Sequence, residues 1–278
     1  MQKERRHARI NKMSSQASKK VSIIIAVTVI AILFWLSLVP WLKEGARFQH
    51  VGVWLPPFLA LSLLIGTISL GIVLLEKKRL WLLMTMLSGL PIFILFGLHY
   101  IYLVFLGLLL ISVLAAGQMI KRELKERYKV DIGVLSRTGV HYIVLPFLIG
   151  ISFIYYFTPQ LQSRVNDGLF PQSFQRTIAS GVQQFIDASG EIPAGIDTKG
   201  ASVQAVDVMF GRINTALKPY QPYLPPLLAF GLFIILWGVG FLFRWLGTLF
   251  ARLLFYILKK TGFVKITEVE VKAERIEM

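Results

Sequence analysis

The sequence contains no cysteine, and this absence removes several kinds of chemistry at once. Disulfide bonds, thiolate nucleophiles and cysteine-ligated metals are all excluded. Charged residues are also scarce: they make up 16% of the chain, whereas soluble domains carry about 25%. The H-E-x-x-H, G-x-S-x-G and phosphate-loop patterns of common enzymes are missing as well. The sequence therefore predicts no catalytic residue, no metal ligand and no cofactor, and a protein that is not an enzyme.

Acidic residues are absent from every long apolar run of the chain. Proton-coupled carriers, membrane aspartyl proteases and metal-ion carriers normally place carboxylates inside their membrane helices. The missing carboxylates therefore argue against these three classes of membrane protein.

The apolar runs are long enough to cross a membrane, which needs roughly 20 residues each. As one helix, residues 80–120 would measure roughly 60 Å, about twice the hydrocarbon thickness, so we expect this run to fold back around Gly97. The sequence thus predicts an all-α polytopic membrane protein with six transmembrane helices. Five lie within residues 21–157, at about 21–42, 52–75, 80–97, 99–119 and 140–157, and the sixth begins the segment 223–260.

Basic residues are distributed unevenly among the loops. Of the 30 Lys and Arg residues, 23 fall in the N-terminal tail 1–20, in the loops 76–79 and 121–137, and from Arg244 onward. The positive-inside rule then places both termini in the cytoplasm. The net charge of +15 predicts contact with anionic lipids at the cytoplasmic face. Nucleic acid is not predicted, because the basic clusters lack interleaved aromatic residues. The chain also has no N-glycosylation sequon, which suits a bacterial inner membrane.

One sizeable extracytoplasmic segment, residues 158–222, is predicted between spans five and six. Its apolar residues recur every three and four positions, which indicates an amphipathic helix-loop-helix. Two short helices bury too little surface to stand alone, so they either cover their own bundle or dock on a partner protein in the membrane. The candidate docking residues are Phe174, Ile178, Val182, Phe185, Phe210 and Ile213.

Span six is predicted to continue past Arg244 as an amphipathic helix at the cytoplasmic interface, followed by a charged tail at 261–278. The candidate lipid-anchoring residues of this helix are Arg244, Trp245, Arg252 and Lys259. An alternative makes Arg244 an intramembrane anion-binding or gating residue. Its predicted position at the inner end of the span favours snorkelling instead.

Three smaller patterns concern how the helices begin and pack. The hexamers "LPPFLA" and "LPPLLA" each predict a helix start, because a proline in the first turn loses no hydrogen bond; internal duplication is the alternative. His141, at the predicted inner end of span five, is expected to be an interfacial residue. Ser62, Gly66 and Ser69 form a small-residue face that predicts helix–helix packing.

Two functions remain open from the sequence. The first is a non-enzymatic structural or accessory subunit of a larger membrane assembly, indicated by the outer helix pair, the inner amphipathic helix and the strand-like tail. The second is a channel or facilitator for a small neutral or lipid-like solute, in which the prolines of spans three and five would kink the helices.

Overall fold

The computed structural model describes residues 2–43, 51–75, 77–126, 131–159, 161, 178–181, 184 and 198–264. The described part is helical throughout, and seven stretches of it are long and apolar enough to cross a membrane. The protein is therefore an all-α polypeptide of the multi-pass membrane class. The strand-like alternation predicted for the C-terminal tail begins at Val264 and otherwise lies outside the described residues.

Nine α-helices follow one another in the described residues. The first six are α1 (Gln2–Lys43), α2 (Val51–Leu74), α3 (Lys78–Gly89), α4 (Pro91–Phe96), α5 (Tyr100–Glu126) and α6 (Ile132–Tyr156). The last three are α7 (Thr198–Leu217), α8 (Leu224–Gly238) and α9 (Gly240–Lys260), and a 3₁₀ helix, Lys218–Tyr223, connects α7 to α8.

The chain divides into two compact units. The first contains Met1–Phe147 and Val239–Met278, and the second contains Leu148–Gly238. In the first unit, Phe34 of α1, Phe105 of α5 and Phe147 of α6 pack around Trp35, with ring centroids about 6 Å apart. The indole Nε1 of Trp35 donates a hydrogen bond of 2.8 Å to the carbonyl oxygen of Ser88. This buried cluster joins α1, α3, α5 and α6.

The predicted reversal in the long apolar run is present. Helix α4 ends at Phe96, and α5 begins at Tyr100. Gly97 between them has a φ of 86°, a backbone conformation that glycine adopts without steric cost. The predicted proline break is also present, because α3 ends at Gly89 and Pro91 is the first residue of α4, where its missing N–H is not needed.

Two helix boundaries differ from the sequence expectation. Helix α6 begins at Ile132, eight residues before the predicted start of span five, because the charge of Arg137 does not end the helix. The predicted sixth span and interfacial helix are divided at Val239 instead of near Arg244, which gives α8 and α9 as two helices. Six predicted spans therefore correspond to seven apolar helical stretches in the structure.

The two proline hexamers also differ from each other. Pro225 and Pro226 occupy the first turn of α8, as predicted. Pro56 and Pro57 lie inside α2, because that helix already begins at Val51. The prediction is therefore wrong for "LPPFLA": the residues before it are helical as well.

The second unit contains the described part of the segment 158–222. Ala179, Val206 and Phe210 form a buried cluster, and Ile178 and Ile213 pack against it. A second cluster joins Leu161 and Leu224 to Tyr155. The apolar face of α7 is therefore covered by residues that precede it in the chain.

Candidate functional site

Small residues fix the position of α9 against α2. A Cβ atom built on Gly66 would overlap the backbone carbonyl of Gly247, so the two helices touch backbone to backbone. Two turns before Gly66 in α2 and one turn before Gly247 in α9, the rings of Phe58 and Phe243 lie 4.6 Å apart. Residue numbers rise together along this contact, so α9 runs parallel to α2. The small-residue face predicted for α2 is confirmed as a packing face.

Helix α6 is held against the same pair of helices. The hydroxyl of Ser69 in α2 donates a hydrogen bond of 3.0 Å to the carbonyl oxygen of Ser136, and a Cβ on Gly139 would overlap that hydroxyl. On the other side, Val140 of α6 lies beside Gly247 of α9. Helices α2, α6 and α9 therefore form a close-packed group whose small residues leave little room for sliding.

The cationic side chains of α6 and α9 lie along the line on which the two helices adjoin. We call this line the α6–α9 seam and define it by Gly133, Arg137 and His141 of α6 with Arg244, Thr248 and Arg252 of α9. Residues on each helix are spaced by four, so each set occupies one helical face. His141 lies beside Arg244 and Gly133 lies beside Arg252, so the two helices are antiparallel.

The upper contact of the α6–α9 seam joins an arginine to a histidine. Nη1 of Arg244 lies 3.4 Å from Nδ1 of His141, and both residues are exposed at the surface. Because a guanidinium can only donate, this contact is a hydrogen bond when Nδ1 carries no proton and accepts. Among the described residues, His141 is the one polar side chain that Arg244 contacts.

The lower contact of the α6–α9 seam depends on a glycine. A Cβ on Gly133 would overlap the guanidinium of Arg252, so the bare backbone provides the space in which that group lies. Just before it, the carboxylate of Asp131 accepts hydrogen bonds from the backbone N–H groups of Gly133 (2.8 Å) and Val134 (3.3 Å). These bonds cap the start of α6 and occupy its first free donors.

The Arg244–His141 contact lies far from the basic helix ends. His141 is nine residues beyond the start of α6, about 14 Å along its axis. Arg244 is fifteen residues before Lys259 at the end of α9, about 22 Å along that axis. The guanidinium is directed to His141 and not along the helix toward Lys259. Both helices continue on either side of this contact, and the interfacial placement of His141 and the snorkelling of Arg244 stay predictions.

The α6–α9 seam contains three arginines and no carboxylate partner for them. Arg137 and Arg252 are exposed like Arg244, and none of the three forms an ion pair with another described residue. On α9, Trp245 is 65% exposed and Lys259 is exposed, as lipid-facing positions require. Lipid anchoring by these residues stays a prediction.

The candidate docking residues are only partly described. Phe174, Val182 and Phe185 lie outside the described residues. Phe210 is 4% exposed, and Ile178 and Ile213 pack against its cluster. These three residues pack against one another, and docking of a partner by the candidate residues stays a prediction. Exposed apolar residues of α7 lie elsewhere, at Val208 and Met209.

Comparison with known proteins adds no family to this description: the chain matches no family model, no curated protein and no solved structure. Within the described residues, no group of three or more His, Asp or Glu side chains is placed to hold a metal ion. The α6–α9 seam is the feature of the described residues that sequence reasoning missed. The spacing of Arg137 and His141, and of Arg244 and Arg252, could have indicated two cationic faces, but not that they adjoin.

Proposed function

We propose that this multi-pass membrane protein is a non-enzymatic facilitator for a lipid-like solute with an anionic head, which moves along the α6–α9 seam. The observation that supports this proposal most directly is the exposed Arg244–His141 contact, which joins the tenth residue of α6 to the fifth residue of α9. This proposal favours the second of the two functions that the sequence leaves open.

The position of the arginine is the basis of this preference. A protein that only anchors itself to lipid needs cations at the headgroup level, where Lys259 and Lys260 already lie. Arg244 instead lies near the other end of α9, about 6 Å from its first residue Gly240, and ionisable residues inside membrane helices mark solute pathways. A cation exposed at this level, away from the lysines, can contact a headgroup that moves along the helix.

The proposal includes a topology of six spans with both termini in the cytoplasm of a bacterium, in its inner membrane. Helix α9 is the sixth span, because it runs parallel to α2 and antiparallel to α6. The Nζ of Lys19 donates a hydrogen bond of 2.8 Å to the carbonyl oxygen of Phe263, which supports placing the start of the first span and the end of α9 on one side. The uneven distribution of basic residues then assigns that side to the cytoplasm.

A lipid-scrambling assay tests the proposal. Purified protein is reconstituted into vesicles that contain a fluorescent phosphatidylglycerol in both leaflets, and a membrane-impermeant reductant bleaches the outer leaflet. We expect the wild-type protein to expose the inner-leaflet fluorophore, and Arg244→Gln to slow this exposure strongly. Arg122→Gln is the matched control, since it removes the same charge from an exposed arginine that pairs with Glu126 at a helix end. Bleaching no greater than in protein-free vesicles would refute the proposal.

An accessory subunit is the second candidate, and the exposed apolar residues of α7 favour it. Val208 is 53% exposed on the face opposite the buried Phe210 cluster, and Met209 is 45% exposed at the edge of that cluster. An extramembrane helix would normally carry polar residues at such exposed positions. Chemical cross-linking in the native membrane followed by mass spectrometry tests this candidate. A reproducible partner cross-linked near residues 204–216 supports it, and cross-links confined to the chain itself count against it.

A further inference from the structure

We infer that the α6–α9 seam binds the phosphate group of an anionic phospholipid from the inner leaflet, with Arg252, Arg137 and Arg244 as successive ligands. The inference deepens the proposed function, on which it rests, because it names the chemistry of the headgroup and the order in which the side chains meet it.

The spacing of the cations provides a series of steps. On α6, the positions of Gly133, Arg137 and His141 follow one another at about 6 Å along the axis. Arg252 lies at the first level beside Gly133, Arg137 at the second, and Arg244 at the third beside His141. A phosphate group with several oxygen acceptors can therefore bind the next guanidinium before it leaves the previous one.

The type of cation indicates phosphate. The helix ends near the proposed cytoplasmic face carry mainly lysine, at Lys19, Lys20, Lys77, Lys78, Lys121, Lys259 and Lys260, whereas the α6–α9 seam carries only arginine and one histidine. Lysine acts as a point charge, while the planar guanidinium of arginine forms two parallel hydrogen bonds to a phosphate or carboxylate. The cations of the seam therefore differ in type from the lysines that set the orientation of the helices in the membrane.

The apolar residues beside the seam indicate that the phosphate belongs to a lipid. Trp245, Leu249 and Leu253 of α9 and Leu145 of α6 are all exposed next to the cationic positions. An acyl chain covers such side chains while its headgroup contacts the arginines. The seam also begins at the helix ends that face the anionic leaflet in the proposed topology, so charge complementarity favours a lipid from that leaflet.

Helix α6 itself does not provide the anion site. The carboxylate of Asp131 already accepts hydrogen bonds from the first N–H groups of that helix. Binding must therefore depend on the arginine side chains. Because Gly133 leaves the space in which Arg252 lies, replacing this glycine is a second way to perturb the site. Gly133→Ala keeps every charge but displaces the guanidinium, which is the far end of a flexible side chain.

The experiment measures lipid adducts on the purified full-length protein by native mass spectrometry in a neutral detergent. The probes are phosphatidylglycerol, diacylglycerol with the same acyl chains, and inorganic phosphate as a competitor. We expect phosphatidylglycerol to bind, diacylglycerol not to bind, and inorganic phosphate not to displace the lipid. Arg252→Gln, Arg137→Gln and Arg244→Gln should each weaken phosphatidylglycerol binding about tenfold, the loss of one charged hydrogen bond.

Three comparisons make the outcome decisive. Gly133→Ala should weaken binding about as much as Arg252→Gln does, and Arg244→Lys should recover only part of the affinity, because it restores the charge and not the paired donors. Arg122→Gln, outside the seam, should bind like the wild type. Thermal unfolding of each variant confirms that it is folded.

Several results would overturn the inference. These are equal binding of diacylglycerol, displacement by inorganic phosphate at the same concentration as the lipid, unchanged binding in all three arginine variants, or a co-purifying protein that occupies the seam in place of lipid. Binding without scrambling would refute the proposed function and leave the inference intact. Scrambling that does not depend on the arginines would overturn the inference and the path along the seam, and it would leave the protein as a facilitator that moves lipid by another route.

Discussion

At the residue scale, Arg244 combines an exposed position near the start of α9 with a specific contact. Its guanidinium lies within 3.4 Å of a histidine nitrogen and has no carboxylate partner among the described residues. A residue that serves only packing inside a membrane helix would normally be apolar. An arginine at this position therefore indicates a role in function at some cost in stability. A substitution of Arg244 can separate these two effects.

Arg244→Leu should make the protein more stable and less active. Leucine removes the cost of placing a charge in the membrane, which is about 2.5–3.5 kcal/mol at a helix centre and less near a helix end, and it cannot bind a phosphate. Thermal unfolding in lipid nanodiscs should give a higher Tm than the wild type, and the scrambling rate should fall. A lower Tm would indicate instead that Arg244 has a structural role at the α6–α9 seam.

At the element scale, the close contact of α2 with α9 determines where the seam residues lie. Gly66 faces the carbonyl of Gly247 without space for a side chain. Any added atom must push the backbones apart, because neither helix offers a flexible group that can move away. The register of α9, and with it the height of Arg244, depends on this contact.

Gly66→Ala should therefore destabilise the protein by about 1–3 kcal/mol, the range for overpacking in a close-packed interior. Gly107→Ala in α5 is the matched control, because a Cβ there meets nothing within 4 Å and alanine is the better helix former. Thermal unfolding in detergent should give a clearly lower Tm for the first variant and an equal or higher Tm for the second. Equal Tm values would mean that the α2–α9 contact has space for a Cβ atom at Gly66.

The two proline hexamers give a second prediction about helices. Pro56 is the sixth residue of α2 and has no N–H, so the carbonyl oxygen of Gly52 accepts no hydrogen bond from it. Pro225 is the second residue of α8, where no hydrogen bond within the helix is lost. Pro56→Ala should raise the Tm by restoring that hydrogen bond, within the ~3 kcal/mol that proline costs inside a helix. Pro225→Ala should change it little. Equal shifts would contradict the different placement of the two prolines.

The sequence predicts most elements of this fold but not their pairing. The reversal at Gly97 follows from an uncharged run twice as long as one span, and the packing face of α2 follows from the spacing of its small residues. The partners, Gly247 and Gly139, depend on how distant helices align, and no local pattern contains that information. The start of α6 was missed because Arg137 ends an apolar run, although a charged residue does not end a helix.

At the scale of the whole molecule, the number of spans depends on α8 and α9. Only Val239 separates them, and both are apolar enough to cross a membrane. If both crossed, α9 would run against α2, and the C-terminal end would lie outside the cytoplasm. Its parallel packing on α2 and the hydrogen bond from Lys19 to Phe263 favour the six-span arrangement.

Single-cysteine labelling can decide between the two arrangements, because the natural chain contains no cysteine. Tyr220→Cys and Thr261→Cys place one thiol at exposed positions before α8 and after α9. A membrane-impermeant maleimide added to intact spheroplasts should label Tyr220→Cys at once, and Thr261→Cys only after the membrane is permeabilised. Arg79→Cys, in the first turn of α3, is the control for the cytoplasmic side and should behave like Thr261→Cys. Labelling of Thr261→Cys in intact spheroplasts would establish seven spans, and α9 would then have to leave its parallel contact with α2. The cations of the α6–α9 seam would no longer lead inward from the cytoplasmic leaflet, and the proposed lipid path would fail with the topology.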